Sequence, residues 1–166
     1  MHRPLAPLII LISAVMVLTN TAQAELSDQT KIIGPWATQG YGAQVVIGPC
    51  DEEGSELCGQ IAWLWTDLDE QGQPLKDIQN PMERLRDRPL VGTPIFRNFA
   101  KEADGRWRGD GIYNPEDGNT YSASLIQRPN GTLEVTGCVL GIFCQTQIWR
   151  RPQSVCPAAI TLSYQD

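Results

Sequence analysis

The sequence predicts an all-β protein, built as an antiparallel up-and-down barrel of about eight strands. Three observations predict it. Apolar and polar residues alternate with a period of two over much of the chain after Trp36. Glycine, proline and asparagine gather between those runs as turn signals. Hydrophobic residues make up 42% of the 166 residues and charged ones 19%, which fits a packed domain and not a disordered chain. A meander of hairpin-joined strands leaves two edges open, and closing it into a barrel removes them.

The elements follow in chain order. Tyr41, Ala43, Val45 and Ile47 share one strand face, and Leu57, Gly59, Ile61, Trp63 and Trp65 share the next. Trp107, Gly109, Gly111 and Tyr113 line a third run, and Tyr121, Ala123 and Leu125 a fourth. Leu133, Val135 and Val139, then Phe143 and Trp149, complete the series. Ala103-Asp104-Gly105, Asn114-Pro115-Glu116-Asp117-Gly118 and Pro129-Asn130-Gly131 are the hairpin turns, with glycine where φ must be positive. Large rings beside glycines are expected to pack on bare backbone and fill the barrel. An aromatic-lined pocket is the alternative.

Residues 1–24 have the order of a secretory signal peptide. Arg3 lies in a short n-region, Leu8 to Leu18 is apolar apart from Ser13, and Ala22-Gln23-Ala24 is a small-x-small cleavage site. That apolar stretch is too short to span a bilayer, and nothing after it is apolar enough to do so. Cleavage after Ala24 would leave a single exported barrel domain, residues 25–166. Residues 152–166 form a tail of unassigned role. Loss of Arg3 leaves 12 basic and 19 acidic residues, a net charge of −7, which disfavours nonspecific nucleic-acid binding. The one histidine, His2, lies in the leader, so the mature chain has no imidazole for Ser-His or Cys-His catalysis or for a metal site.

Five cysteines in an exported chain point to disulfides. Proximity favours Cys50 with Cys58 and Cys138 with Cys144, leaving Cys156 over. A four-thiolate zinc site is the rival, but the gaps of seven and five residues are wider than zinc pairs use.

Asp67 to Pro94 breaks the alternation, is polar and carries four prolines. A long excursion in a compact domain is commonly a lid or a binding loop. Pro81 to Arg86 could form one or two helical turns with Asn80 as N-cap. Arg84, Arg86 and Arg88, with Lys76, make a basic cluster in an acidic protein. On an extended segment the three arginines share a face and could hold an anion. The blander alternative pairs them with Asp77, Glu83 and Asp87. Asp67 to Gly72 starts like a calcium loop, but Ile78 stands where the bidentate glutamate is required. No metal or cofactor is expected, and no nucleophile elbow, phosphate loop or dinucleotide fingerprint occurs.

Gly34-Pro35-Trp36 and the late Trp149-Arg150 resemble the calycin superfamily, which includes the lipocalins. The resemblance implies that Arg150 (or Arg151) packs over Trp36 to close the barrel end. Four blocks in order carry a broader resemblance. They are Gly34-Pro35-Trp36, Leu57-Cys58-Gly59-Gln60-Ile61, Asp77-Ile78-Gln79-Asn80-Pro81 with Arg86-Asp87-Arg88-Pro89-Leu90-Val91-Gly92, and Gly111 to Tyr121. With Gly137-Cys138 and Trp149, they resemble the bacterial domain of unknown function 2147 family of small exported proteins. That family implies export, a calycin-like barrel and the two local cysteine pairs, and no activity.

The leading expectation is a noncatalytic barrel that binds a small amphipathic or anionic envelope molecule. Trp63 and Trp65 would supply apolar contact, and Arg84, Arg86 and Arg88 polar contact. An interaction or structural protein with a filled barrel is the alternative, and a carboxylate-based hydrolase a third.

Overall fold

The computed structural model describes residues 31–50 and 54–152. The predicted leader, the tail from 153 and Cys156 lie outside the described residues. Lys31 and Ile32 are helical and belong to a separate unit of residues 1–32; the unit beginning at Ile33 carries the fold.

Nine strands form one antiparallel sheet. They are β1 (Gly34–Ala37), β2 (Ala43–Pro49), β3 (Glu56–Leu64), β4 (Pro94–Lys101), β5 (Trp107–Arg108), β6 (Ile112–Asn114), β7 (Asn119–Gln127), β8 (Leu133–Val139) and β9 (Phe143–Trp149). Each stave pairs with the next. β5 and β6 are two halves of one stave, both lying between β4 and β7. Gly109 and Gly111 mark the break, where a Cβ would come within 2.4 Å of the Asn98 carbonyl oxygen and 2.6 Å of that of Tyr121. Eight staves therefore stand where about eight strands were expected. The sheet closes on itself where Ala37 and Arg150 exchange backbone hydrogen bonds of 2.7 and 3.0 Å.

The meander puts the β1–β2, β3–β4, β6–β7 and β8–β9 connections at one end. At the opposite end the interior is filled. Trp36, Leu57, Phe99, Leu125 and Leu133 are each fully buried there. Phe96 packs its ring onto Gly59, where a Cβ would sit 2.1 Å from the ring. The ring over that glycine is thus Phe96, supplied by β4, and not a tryptophan of β3.

One register shift changes the predicted faces. Val45 pairs with Ile61 and Gln44 with Trp63, so Ala62 is an extra residue in β3. A bulge of one residue reverses which side the following side chains take. Leu64 turns inward, and Trp63 turns out and is 40% exposed. The expected shared face of Ile61, Trp63 and Trp65 is therefore broken.

Both local cysteine pairs are bonded. Cys50–Cys58 ties β2 to β3, and Cys138–Cys144 crosses β8 to β9 with a Cα separation of 4.0 Å. Replacing Cys50 by serine should lower the unfolding free energy by about 2–3 kcal/mol, since the bond limits a short loop in the unfolded chain. Denaturant midpoints of oxidised parent and variant check this, and equal midpoints would refute it.

The excursion between β3 and β4 is a strap folded back on itself. The Leu90 amide donates to the Leu75 carbonyl at 2.8 Å, and the Asp77 amide to that of Arg88 at 3.0 Å. Its far end carries a single 3-10 turn, Glu83–Leu85. Asn80 does not cap it: Met82 precedes the turn, and Asn80 Oδ1 accepts from the Met82 amide at 2.9 Å in a turn of its own.

Candidate functional site

The end opposite the filled core holds a cavity of about 1670 Å³. Its apolar walls include Val45, Ile61, Leu64, Ile95 and Val135. Its polar walls include Gln145 and Gln147, which alternate inward from β9, and Tyr113 and Tyr121 from β6 and β7. Gly137 leaves room in the wall, because a Cβ there would meet only Tyr121 Cβ, at 3.8 Å. Among the described lining residues the charged ones are Glu116 and Asp117, on the β6–β7 turn. Asp117 accepts a short hydrogen bond from the Tyr121 hydroxyl and another from the Asn119 amide. These bonds hold its carboxyl below the ordinary carboxylate range, Tyr121 contributing most.

The strap crosses this end and supplies Leu75 and Leu90 to the cavity wall. It is fastened by one carboxylate. Asp77 is fully buried. Its Oδ2 accepts from Arg88 Nη2 at 2.7 Å, Arg88 Nε at 3.0 Å and Asn80 Nδ2 at 2.8 Å. Its Oδ1 accepts from the Tyr113 hydroxyl at 2.5 Å. Burial pushes the Asp77 carboxyl up, but the bonds from Tyr113, Asn80 and Arg88, with the charge of Arg88, outweigh it and leave the group below its ordinary value. Burial, and next the hydrogen bond to Asp77, push Tyr113 up to about 12, so the hydroxyl stays a donor at physiological pH. Gly118 completes the contact, since a Cβ there would strike the Gln79 carbonyl oxygen at 2.0 Å.

The sequence-predicted residues divide. Trp65 stands on the cavity rim, 77% exposed, with its ring edge-on to Trp63 at 6.1 Å. Trp63 is not on the lining, for the register reason above. Arg84, Arg86 and Arg88 are also not on the lining. Arg88 is turned onto Asp77, Arg86 Nε donates to the Asn80 carbonyl at 2.8 Å, and Arg84 Nη2 lies 3.6 Å from Met82 Sδ. Lys76 pairs with Asp87 at 3.0 Å. The cluster thus follows the blander alternative at Arg88 and Lys76. Asp69, in the calcium-like stretch, accepts from the Gln71 and Gln73 amides at 2.9 and 2.8 Å, an Asx turn that needs no ion.

The end lock involves the second arginine. Arg151 lies over the Trp36 ring at 3.9 Å and donates to the Pro35 and Ile33 carbonyls at 3.1 and 3.0 Å. Arg150 instead provides the backbone bridge to Ala37, because Trp149 points inward and its successor points out. Sequence reasoning missed Tyr113 as a partner of Asp77, 36 residues away. It also missed the apolar tip of the β8–β9 hairpin.

Comparison with known proteins agrees with this architecture. The structure is similar to protein HP1028 from the human pathogen Helicobacter pylori, which belongs to the lipocalin family. The TM-score is 0.58 and the identity 26%, over 72% of this chain and 82% of that one. Fold and cavity together define a lipocalin-like protein. The chain itself belongs to the DUF2147 family, uncharacterized proteins conserved in bacteria, which it matches over residues 34–151. No curated protein sequence matches it. The two disulfides point to a compartment outside the cytoplasm.

Proposed function

We propose that this protein is a periplasmic carrier that holds a small amphipathic molecule of the bacterial envelope in the cavity without transforming it. The observation that carries this reading is the unfilled half of the barrel. About 1670 Å³ is more than the roughly 300–1,000 Å³ of common ligand pockets, so a long-chain amphiphile fits better than a compact metabolite. The walls supply both kinds of contact for such a molecule: branched aliphatic side chains such as Val45, Ile61 and Val135, and the polar groups of Gln145, Gln147, Tyr113 and Tyr121. Trp65 offers a ring at the rim. An anionic cargo is the weaker form of the proposal, because the charged lining groups are acids and Arg88 is paired with Asp77. An envelope interaction protein would work with a filled barrel, and the cavity weighs against that reading.

The test fills the cavity. Gly137→Phe places a ring where a Cβ is tolerated. It should weaken binding of a neutral naphthylamine probe by about tenfold or more, the equivalent of about 1.4 kcal/mol, with the thermal midpoint little changed. Fluorescence titration reads the affinity. Equal affinity in both proteins would overturn the interior site.

A further inference from the structure

The β8–β9 hairpin ends in Val139-Leu140-Gly141-Ile142-Phe143, between the bonded Cys138 and Cys144. Its four apolar side chains are 46%, 87%, 72% and 71% exposed in chain order. The turn closes with the Ile142 amide donating to the Val139 carbonyl at 3.2 Å. Leu140 and Gly141 both take positive φ, 52° and 72°, the pattern of a type I′ turn. Asn-Gly is the favoured pair for that turn. Leucine at the first position is opposed twice, by its backbone conformation and by water. A residue held against both preferences points to use at that spot.

We propose that this tip docks the open end of the barrel onto a bilayer surface of zwitterionic lipid, of the phosphatidylethanolamine type. Four observations carry it. The tip is a convex knob of aliphatic and phenyl groups, and no charged residue occurs from Val135 to Trp149. The side chains of the tip carry no polar group and offer area to bury in an acyl boundary. Its shape is fixed by the ladder up to the Val139–Phe143 pair, by the turn bond from the Ile142 amide to the Val139 carbonyl, and by the disulfide below them. At the same end, Tyr41 and Trp65 are 40% and 77% exposed, the ring types that favour a membrane–water interface. Finally, Glu116 and Asp117 sit at the mouth and complement the outer ammonium of such a headgroup, while an anionic surface would repel them. Val139, Ile142 and Phe143 line the cavity as well, so a docked barrel opens its interior towards the acyl chains. This last step rests on the carrier reading; the docking does not.

Leu140 is absent from the cavity lining, which makes it the clean position to test. Purified protein whose intact mass lacks the first 24 residues is floated with phosphatidylethanolamine–phosphatidylcholine vesicles. The parent should float. Leu140→Asn suits the turn, so its thermal midpoint should be equal or higher, and its vesicle partitioning should fall about tenfold or more. Leu140→Met should keep partitioning within about twofold, since it restores the apolar area. Binding of the naphthylamine probe should be unchanged in both variants. A parent that stays out of the lipid, an asparagine variant that floats equally, or stronger flotation with phosphatidylglycerol vesicles would overturn the proposal. Probe binding without flotation overturns docking and leaves the carrier reading standing. Flotation lost in the asparagine variant, with no probe bound by any form, supports docking and overturns the carrier reading.

Discussion

Replacing Arg88 by alanine should lower the unfolding free energy by about 3–5 kcal/mol, because it strands the Asp77 carboxylate in the interior without its cation. The pair is asymmetric in a useful way. Asp77 is completely buried, whereas the Arg88 side chain is 27% exposed and approaches from the strap. Removing the arginine deletes two donors at once, Nε and Nη2, both on Oδ2. Lysine should restore little of the loss, since it is a point charge and not a fork. The pH dependence gives the sign. The folded Asp77 carboxyl lies below its ordinary value of 3.8, so the unfolded chain binds the proton more readily. Its stabilisation is then fully present above the unfolded value and is lost as pH falls through the lower, folded one. In the alanine variant the burial that raises the group is balanced only by Tyr113 and Asn80, so the acid loss should begin at higher pH. Urea unfolding at neutral and acid pH measures both effects. Amide exchange at Asp77 and Leu90 should also accelerate, because those amides hold the strap to itself. A loss under about 1 kcal/mol with unchanged exchange would show that the strap does not depend on this carboxylate.

That latch has a consequence for the cavity. The strap covers one side of the open end and brings Leu75 and Leu90 to the wall. The opposite side, formed by β8, β9 and the β1–β2 turn, has no such cover. β9 meets the short β1 at the Ala37–Arg150 bridge, and next to it the Ile148 amide donates to Gln39 Oε1 at 3.0 Å. Gln145 and Gln147 therefore face a cavity whose rim is polar and fastened on one side and apolar on the other.

Much of this architecture is legible in the residues. Alternation marks β2, β7 and β8, because each has one buried and one wet face. The turn at Asn114 to Gly118 and the two cysteine pairs follow from local chemistry. Other features need contacts that one strand cannot announce. The bulge at Ala62 adds a residue without altering the apolar count, so the outward turn of Trp63 is invisible until β2 is laid beside it. β4 shows weak alternation because Asn98 takes φ 55°, which lets Phe96 and Phe99 both point inward. The empty half of the barrel is written in what is missing from inward positions: Gly137, Gln145 and Gln147 carry no apolar signal. For the arginines, residue type admits both an anion site and internal pairing, and the Asp77 that Arg88 meets is eleven residues away and reached only once the strap folds back.

The other large effect concerns the closed end. Trp36→Ala should cost about 3–5 kcal/mol, the range for deleting a large ring from a packed core. Trp36 is wholly buried and lies in the shortest stave, β1, paired to Val45 and so set opposite Ile61 one strand further on. Little can move in to replace it, because β1 has only four residues and its neighbours already fill their positions. Arg151 adds to the ring from outside, with its guanidinium 3.9 Å away and two donors fixed on the Pro35 and Ile33 carbonyls. Those two anchors hold the arginine whether or not the ring is present, so the stacking itself contributes only about 0.5–2 kcal/mol. A double-mutant cycle of Trp36→Ala with Arg151→Ala separates the terms. A coupling within that range, beside a large single loss for the tryptophan, would show a packed plug covered by a cation. A tryptophan loss below about 1 kcal/mol would mean that the barrel end is held by the Ala37–Arg150 bridge and not by the ring. The cavity offers a second readout. Trp36 is not on the cavity lining but pairs with Val45, which is, so its loss should cost stability first, whereas Gly137→Phe should change affinity and spare stability.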